Sequence, residues 1–311
     1  MYLPYLRGKQ FELIGLREIS SLLSANSGKI SPIIEPVKDS STIKTTIKEL
    51  IAKQINFTVI INPQVGTFKN TDSILEMLSL TVGTYTNFQI GIIFTGKENG
   101  ELILEKLRNY SRIVHNLTII HNYAHENIRV IMEGIENDFS IKYNVINFGK
   151  INRRYTRNFS SDTLVELDDY FNSQTKNSDY LQIGESTFSE EHLYYLDEGF
   201  IGFSDFLTVG EDYSDSGFLP FAIAIHISYN TDENVIRIKH FVSDSNDDNS
   251  DIAGKFDEAI AKLIVWCDAS GYNSIAINQF RELHANGHFP GLGTLKKLSI
   301  INHIALILSI I

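Results

Sequence analysis

Cysteine is almost absent from this 311-residue chain, which contains only Cys267. A lone cysteine excludes an internal disulfide and a structural zinc site built from thiolates. Three signatures of nucleotide binding or catalysis are missing as well: G-x-G-x-x-G after the first predicted strand, the Walker A loop, and the G-x-S-x-G of a nucleophilic serine. Cys267 lies in the apolar run KLIVWCDASG, typical of an inert core thiol, so covalent catalysis by serine or cysteine is not predicted.

Positive charge is scarce, because 27 Lys and Arg stand against 38 Asp and Glu, for a net charge of −11. Binding to a nucleic-acid backbone needs clusters of lysine and arginine, so the composition argues against a nucleic-acid partner. The N-terminal MYLPYLRGKQ has no apolar segment of signal-peptide length. The C-terminal IINHIALILSII is shorter than the roughly 20 residues that cross a bilayer, and it predicts a buried helix. We therefore expect a cytoplasmic protein with no membrane partner.

Short apolar runs alternate with stretches of helical periodicity along the first two thirds of the chain. Eight runs are typical of strands, at residues 2–6, 30–37, 57–62, 88–95, 117–121, 142–148, 163–168 and 200–207. Strands separated by helices predict β-α-β units and a parallel sheet. The sequence therefore predicts an α/β fold, a single (β/α)8 TIM-like barrel over residues 1–311.

Two β-branched runs follow the eighth strand, at residues 221–229 and 235–241, joined by the turn-forming NTDEN. They predict an appended antiparallel β-hairpin, with C-terminal helices after it. We place this insertion, with its acidic loops, at residues 218–250. Residues 205–258 contain twelve Asp or Glu against three Lys or Arg, which makes the region a candidate surface for a protein partner.

Polar side chains come at the carboxyl end of each predicted strand, where barrels of this type have their active sites. The candidates for acid–base catalysis are Glu35, His121 and Asp205. The candidates for binding an anionic substrate are Arg7, Lys9, Lys38, Asn62 and Asn147. Each of them also has a simpler explanation, since loops after strands are exposed to water and therefore polar.

Three carboxylates among these positions suit a divalent metal. Glu35, Asp168 and Asp205 offer oxygen ligands, which favour Mg²⁺ or Mn²⁺ as a cofactor. The alternative is that Asp168 caps the element that follows it.

Two glycine-containing segments are candidate anion sites. Arg7-Gly8-Lys9 places two cations before a helix, although Lys9 paired with Glu12 explains it equally simply. Residues 291–299 (GLGTLKKLS) run into a helix that we expect to begin near Thr294, where backbone N–H groups and two lysines suit phosphate. Thr294 as a helix N-cap is the simpler interpretation of that segment.

Each strand of the predicted hairpin carries one histidine. His226 has the parity of Ala222 and Ala224, and His240 that of Ile236 and Ile238. Histidines on small or apolar faces are more often packed in a core than bound to a metal. We therefore expect a packing role for both.

Several longer segments resemble the beta-protein family of bacteria and their phages. They are YLPYLRGKQFELIGLREI, ISPIIEPVK, DFLTVGEDYSDSGFLPFAIAIHISY, IKHFVSDSN and HFPGLGTLKKLSIINHI. The resemblance implies a barrel-like, largely uncharacterised intracellular protein of genomic islands. It also implies a link to antiviral defence and a nuclease-like neighbour.

Two functions follow from these observations. The first is a cytoplasmic barrel enzyme, dependent on a metal, that acts on an anionic and phosphorylated small molecule or nucleotide. The alternative is a non-catalytic barrel that senses a ligand or binds a protein, working with a nuclease-like partner in a defence system.

Overall fold

The computed structural model describes residues 1–96, 100–214 and 219–311. The end of the acidic loop at Asp215 and the start of the predicted insertion at residue 218 lie outside these ranges. The strands, in chain order, are β1 (Tyr5–Leu6), β2 (Ile33–Ile34), β3 (Phe57–Ile60), β4 (Phe88–Phe94), β5 (Asn116–His121), β6 (Ser140–Asn147), β7 (Leu164–Asp168), β8 (Glu185–Ser189), β9 (Gly202–Asp205), β10 (Ala224–Asn230) and β11 (Ile236–Val242).

The α-helices are mostly amphipathic segments that follow a strand. They are α1 (Gln10–Glu18), α2 (Ser20–Ala25), α3 (Ser41–Ala52), α4 (Thr71–Val82), α5 (Gly100–Asn109), α6 (Ile128–Glu136), α7 (Tyr180–Ile183), α8 (Glu191–Tyr194), α9 (Ile252–Ser270), α10 (Ile275–Ala285) and α11 (Leu292–Ile310). Short 3₁₀ turns occur at Arg153–Asn158, Asn177–Asp179 and Leu207–Val209.

Two compact units make up the chain. The first, which we call the barrel unit, contains Met1–Asp169 and Leu193–Asp205. The second, which we call the hairpin unit, contains Tyr170–His192 and Phe206–Ile311.

The barrel unit is built on eight parallel strands in the order β1-β2-β3-β4-β5-β6-β7-β9. The chain before β1 bridges β9, since Tyr2 pairs in parallel with Phe203 and the Leu3 N–H donates to the Phe203 carbonyl at 2.9 Å. This brings the last strand back to the first. The predicted α/β TIM-like barrel is confirmed, with all eight predicted strand runs in their expected order.

Buried strand residues form the core of the barrel unit, and helices cover the outside. Strands β3 and β4 are buried along their whole length, as parallel strands covered on both faces must be. Helix α3 packs through Ile43, Ile47 and Leu50, one face at helical spacing. Its N-cap is Ser40, whose hydroxyl accepts from the Ile43 N–H at 3.4 Å.

The hairpin unit contains a three-stranded antiparallel sheet in the order β10-β11-β8. Strands β10 and β11 are the predicted hairpin, with Asn230 opposite Ile236 at the turn. Strand β8 was not predicted, because its sequence ESTFS is polar and has Phe188 as its one large apolar residue. The segment that follows β8 forms only the single helical turn α8.

Helix α11 is the buried C-terminal helix that the sequence predicts. It has the length and mean hydropathy of a possible membrane span, but 61% of its apolar window is buried in the structure. Asn302 donates to the Ser228 carbonyl at 2.7 Å, and His303 lies 2.9 Å from the Ser228 hydroxyl. Its polar residues are therefore satisfied within the unit, as in the core helix of a soluble protein.

Candidate functional site

The inner face of the barrel is identified by two threonines on strands that are not neighbours. Thr58 on β3 and Thr118 on β5 have their hydroxyl oxygens 3.0 Å apart, so both point into the barrel. Side chains alternate along a strand, and partners in parallel register share a face. Glu35 therefore falls on the inner face, whereas His121 falls on the outer face.

The same register argument places two aspartates outside. Thr118 pairs with Tyr143, and the inner face continues through Val165 and Leu167 to Ser204. Asp168 and Asp205, which are register partners of one another, therefore lie on the outer face. The structure thus does not bring Glu35 together with the two aspartates or with His121.

Glu35 and Arg7 do meet, at the carboxyl ends of β1 and β2. Glu35 is fully buried, and its carboxylate accepts from the Arg7 guanidinium and from the Tyr5 hydroxyl at 2.7 Å. Its other oxygen accepts from the backbone N–H groups of Gln64 at 2.6 Å and Val65 at 3.3 Å. Four donors therefore bind the Glu35 carboxylate, and the charges of Glu35 and Arg7 cancel.

The Arg7-Gly8-Lys9 turn has a backbone reason for its glycine. Gly8 has φ +62°, and a Cβ there would lie 2.8 Å from the Glu35 carbonyl oxygen. Lys9 is the N-cap of α1, where its backbone N–H donates to Glu12 at 3.4 Å. Burial raises the pKa of Glu12 to about 7, against the opposing effect of Lys9 and Arg7. The segment thus fixes the start of α1.

The remaining predicted substrate residues are either tied to strands or exposed. Asn62 clamps β4, because its amide donates to the Ile93 carbonyl at 2.8 Å and accepts from the Ile93 N–H at 2.9 Å. Asn147 is buried and donates to the Asn122 side chain at 3.1 Å. Lys38 is exposed beyond β2.

His121 is packed rather than open to solvent. Its Nε2 lies 3.1 Å from Asn144 Oδ1, and its ring contacts Phe94, Tyr155 and Phe159. Burial lowers its pKa to about 3, so it is neutral at physiological pH. On the same face, Asp205 accepts from the Tyr2 hydroxyl at 2.8 Å, and Asp168 accepts from the Asp169 N–H at 2.8 Å.

The acidic segment after β11 is tied down by lysines of α9. Lys262 Nζ lies 2.7 Å from Asp244, and the nearly buried Lys255 binds the Asp248 carbonyl. Glu258 accepts from the Ser245 N–H at 2.9 Å. Part of the negative charge of region 205–258 is therefore compensated within the hairpin unit.

The hairpin unit also contains a cavity of about 460 Å³, which we call the His226 cavity. Elements from four parts of the unit enclose it: the segment before α7, the 3₁₀ turn Leu207–Val209, strand β10 and the start of α11. It is lined by Phe171, Ser173, Gln174, Asn177, Tyr180, Thr208, Val209, Pro220, Ala224, His226, Leu292, Gly293, Leu295, Lys296 and Ser299. A volume of this size suits a small molecule, since ligand pockets hold about 300–1,000 Å³.

Two histidines meet at the wall of this cavity. His226 and His240 are directly opposite in the hairpin, and the His240 N–H donates away from β10, to the Gly184 carbonyl at 2.8 Å. They are thus a non-hydrogen-bonded backbone pair, the kind whose side chains approach closest. Their Nδ1 atoms lie 2.8 Å apart with ring centroids at 4.9 Å, so one imidazole donates to the other.

Aromatic rings surround the histidine pair. Tyr180 lies 4.7 Å from the His226 ring and 4.6 Å from the His240 ring, between centroids, and Phe171 lies 5.1 Å from His226. Burial, with the nearby His240 and Lys296, holds the pKa of His226 well below its usual range. Burial and Lys239 lower the pKa of His240 to about 4. Both imidazoles are therefore neutral at pH 7.

Thr208, which lines the same cavity, has an unused hydroxyl. The residue is 4% exposed, and its Oγ1 has no hydrogen-bond partner among the described residues. Its neighbour Leu207 has φ 56°, in the left-handed region that a branched side chain rarely adopts. An unpaired buried hydroxyl costs about 1–3 kcal/mol, so a partner supplied by a ligand would be stabilising.

The N-terminus of α11 lines the same cavity as Thr208. The helix begins at Leu292 rather than near Thr294, and its N-cap Gly291, with φ 90°, supplies no side chain to the first N–H groups. Thr294 instead donates to the Pro290 carbonyl at 3.2 Å. Lys296 lines the cavity and forms no ion pair within the described ranges. Donors and positive charge therefore converge on the cavity.

Comparisons with known proteins do not identify a family for this chain. No protein-family model matches the chain, and no curated protein sequence matches it. The resemblance to the beta-protein family stays an expectation.

In the sequence, His226, His240 and the segment 291–296 are separate features, and no local pattern brings them together. The hairpin register could have paired the histidines, because with Asn230 opposite Ile236 the strand position of His226 must face His240. Thr208 carried no signal in the sequence, since only the packing of the 3₁₀ turn leaves its hydroxyl unpaired.

Proposed function

We propose that this protein binds a small anionic molecule, one with a phosphate-like group, in the His226 cavity. The observation that carries the proposal is the buried, unpaired hydroxyl of Thr208 on the wall that the α11 N-terminus and Lys296 also line. A hydroxyl, the N–H groups at the start of a helix and an ammonium are the donors that bind tetrahedral oxyanions.

Charge distinguishes this cavity from the carboxyl ends of β1 and β2, which we call the barrel mouth. At the mouth Arg7 is already paired with Glu35, so an anion there would compete with a fully buried carboxylate. In the His226 cavity no described carboxylate pairs with Lys296, and both histidines are neutral. An anion would therefore enter without displacing an internal ion pair.

The rest of the cavity suits the body of such a ligand. Phe171 and Tyr180 offer aromatic faces, and the amides of Gln174 and Asn177 offer donors and acceptors near them. An organic phosphate with a planar or apolar body fits this mixture of walls. The expectation of a metal-dependent barrel enzyme in the cytoplasm, with a role in antiviral defence, remains a separate prediction.

Titration calorimetry with sulfate tests the proposal. Sulfate is isosteric with phosphate and stays doubly charged between pH 5 and 9, and sodium chloride of equal ionic strength serves as the blank. We expect saturable binding that Lys296→Gln weakens about tenfold or more, because a charge-assisted hydrogen bond is lost.

Lys297→Gln is the matched control, since it removes the same charge from the next residue, which does not line the cavity. Its affinity should stay within about twofold of the parent. Absence of saturable sulfate binding by the parent, or an equal loss in both variants, would contradict a specific site at Lys296.

A further inference from the structure

The His226–His240 contact is a hydrogen bond, and a hydrogen bond between neutral imidazoles fixes opposite tautomers. The imidazole that donates from Nδ1 has a bare Nε2, and the one that accepts at Nδ1 carries its proton on Nε2. Neither Nε2 has a hydrogen-bond partner within the described chain. The pair can therefore take up one proton at a bare Nε2 while keeping the bond between the rings.

A second proton would place two imidazolium rings 2.8 Å apart, between nitrogen atoms, so the pair accepts only one. Because Nδ1 of His226 is engaged with His240, Nε2 is the ring nitrogen that remains for an occupant of the cavity that His226 lines. As an imidazolium, His226 would donate from Nδ1 to His240 and from Nε2 to the occupant.

We infer that the His226 cavity is selective for dianions and takes up one proton on the His226–His240 pair when the dianion binds. This inference rests on the proposed function. A doubly charged group needs two positive charges to be neutralised, and Lys296 supplies one of them. The proton comes from solvent and supplies the second.

The groups that face the pair do not provide an alternative second charge. His226 faces His240 of β11, Tyr180 of α7 and Lys296 of α11. His240 is also close enough to its strand neighbour Lys239 for that charge to lower its pKa. Lys239 is paired with Glu185 at 2.7 Å, and burial raises the pKa of Tyr180, which stays neutral. A dianion next to the pair raises the histidine pKa, because an opposite charge favours the protonated form.

The ligand class that follows is a terminal phosphate monoester or a comparable dianion, in preference to a carboxylate or a phosphodiester. Both of the latter carry a single negative charge, which Lys296 alone balances. Burial and the positive charge of Lys296 disfavour a protonated pair in the empty cavity. The proton therefore arrives together with the ligand.

Calorimetry with sulfate in buffers of different ionisation enthalpy measures this uptake directly. The slope of observed enthalpy against buffer ionisation enthalpy gives the protons taken up per sulfate. For the parent we expect a slope near zero at pH 8 that rises toward one at pH 6. His226→Gln should bind sulfate with a slope near zero at both values, because it removes the imidazole that lines the cavity.

His284→Gln, on α10 and outside the cavity lining, is the control and should keep the parent slope. Sulfate binding by the parent without proton uptake at pH 6, or uptake that persists in His226→Gln, would overturn the inference and leave the proposed function standing. No sulfate binding at either pH would overturn the proposed function itself.

Discussion

Replacing Thr208 by valine should make the ligand-free protein more stable. The residue is 4% exposed, and its Oγ1 has no described partner, so the folded state has lost the hydration of a hydroxyl without a replacement bond. Leaving a buried polar group unpaired costs about 1–3 kcal/mol. Valine has nearly the same shape and no hydroxyl, so Thr208→Val should raise the free energy of unfolding by about that amount.

Trp266 makes this measurable in the relevant part of the chain. It is the one tryptophan of the sequence, and it lies on α9 of the hairpin unit against Tyr229 and Phe241. Its fluorescence follows unfolding of that unit in denaturant or on heating. Each kcal/mol moves Tm by about 4–8 °C for a domain of 60–100 residues and by about 2–4 °C for one of 150–250 residues, so a rise of a few degrees is expected for this unit.

Ser243→Ala is the matched control, because the Ser243 hydroxyl is buried in the same unit but is bonded. It accepts from the Ile223 N–H at 3.0 Å and donates to the Ser245 carbonyl at 3.1 Å. Its removal should lower the free energy of unfolding by about 1–3 kcal/mol. If Thr208→Val lowers stability as Ser243→Ala does, the Thr208 hydroxyl is satisfied in the free protein and the reasoning fails.

Three further predictions concern the barrel unit. The pKa of His121 is about 3 in the folded protein against 6.5 as its ordinary value, so only the unfolded chain gains this proton between those values. The free energy of unfolding should therefore decrease as the pH is lowered across that window, by up to about 1.4 kcal/mol per pH unit. In denaturant titrations at several pH values, the free energy of unfolding of His121→Asn should change less steeply with pH, by that amount. Glu35→Gln leaves Arg7 facing an uncharged partner and should lower the free energy of unfolding by about 3–5 kcal/mol in circular-dichroism melts; a loss below about 1 kcal/mol would contradict a structural ion pair. If Asp168 and Asp205, two of the three ligands that the sequence predicts, bind Mg²⁺ or Mn²⁺, these ions raise the Tm of the parent but not of Asp205→Asn, and an unchanged parent rules this out.

The barrel was predictable because its signal is repeated. Each strand is a short apolar run bounded by turn residues, and eight repeats restrict the topology far more than any single run does. Strand β8 was not predicted because it is stabilised by pairing with β11, and its own polar sequence shows no strand pattern. A strand of that kind cannot be read from local pattern.

The candidate site was harder to predict, since it depends on the face and not only on the position of a residue. His121 and Asp205 end their strands as predicted, but the alternation of side chains turns them to the outer face of the barrel. Glu35 and Arg7 end on the inner face and bind one another. The His226 cavity joins segments up to about 130 residues apart in sequence, and no spacing rule connects Phe171, Thr208 and Lys296.

The central claim is that an anion binds at Thr208 and Lys296 and not at the barrel mouth. A crystal structure with tungstate, a dianion with strong anomalous scattering, tests it most directly. The account predicts an anomalous peak within about 3 Å of both Thr208 Oγ1 and Lys296 Nζ, the hydrogen-bond distance for such donors. Peaks only at Arg7, or only on the exposed surface, would contradict it.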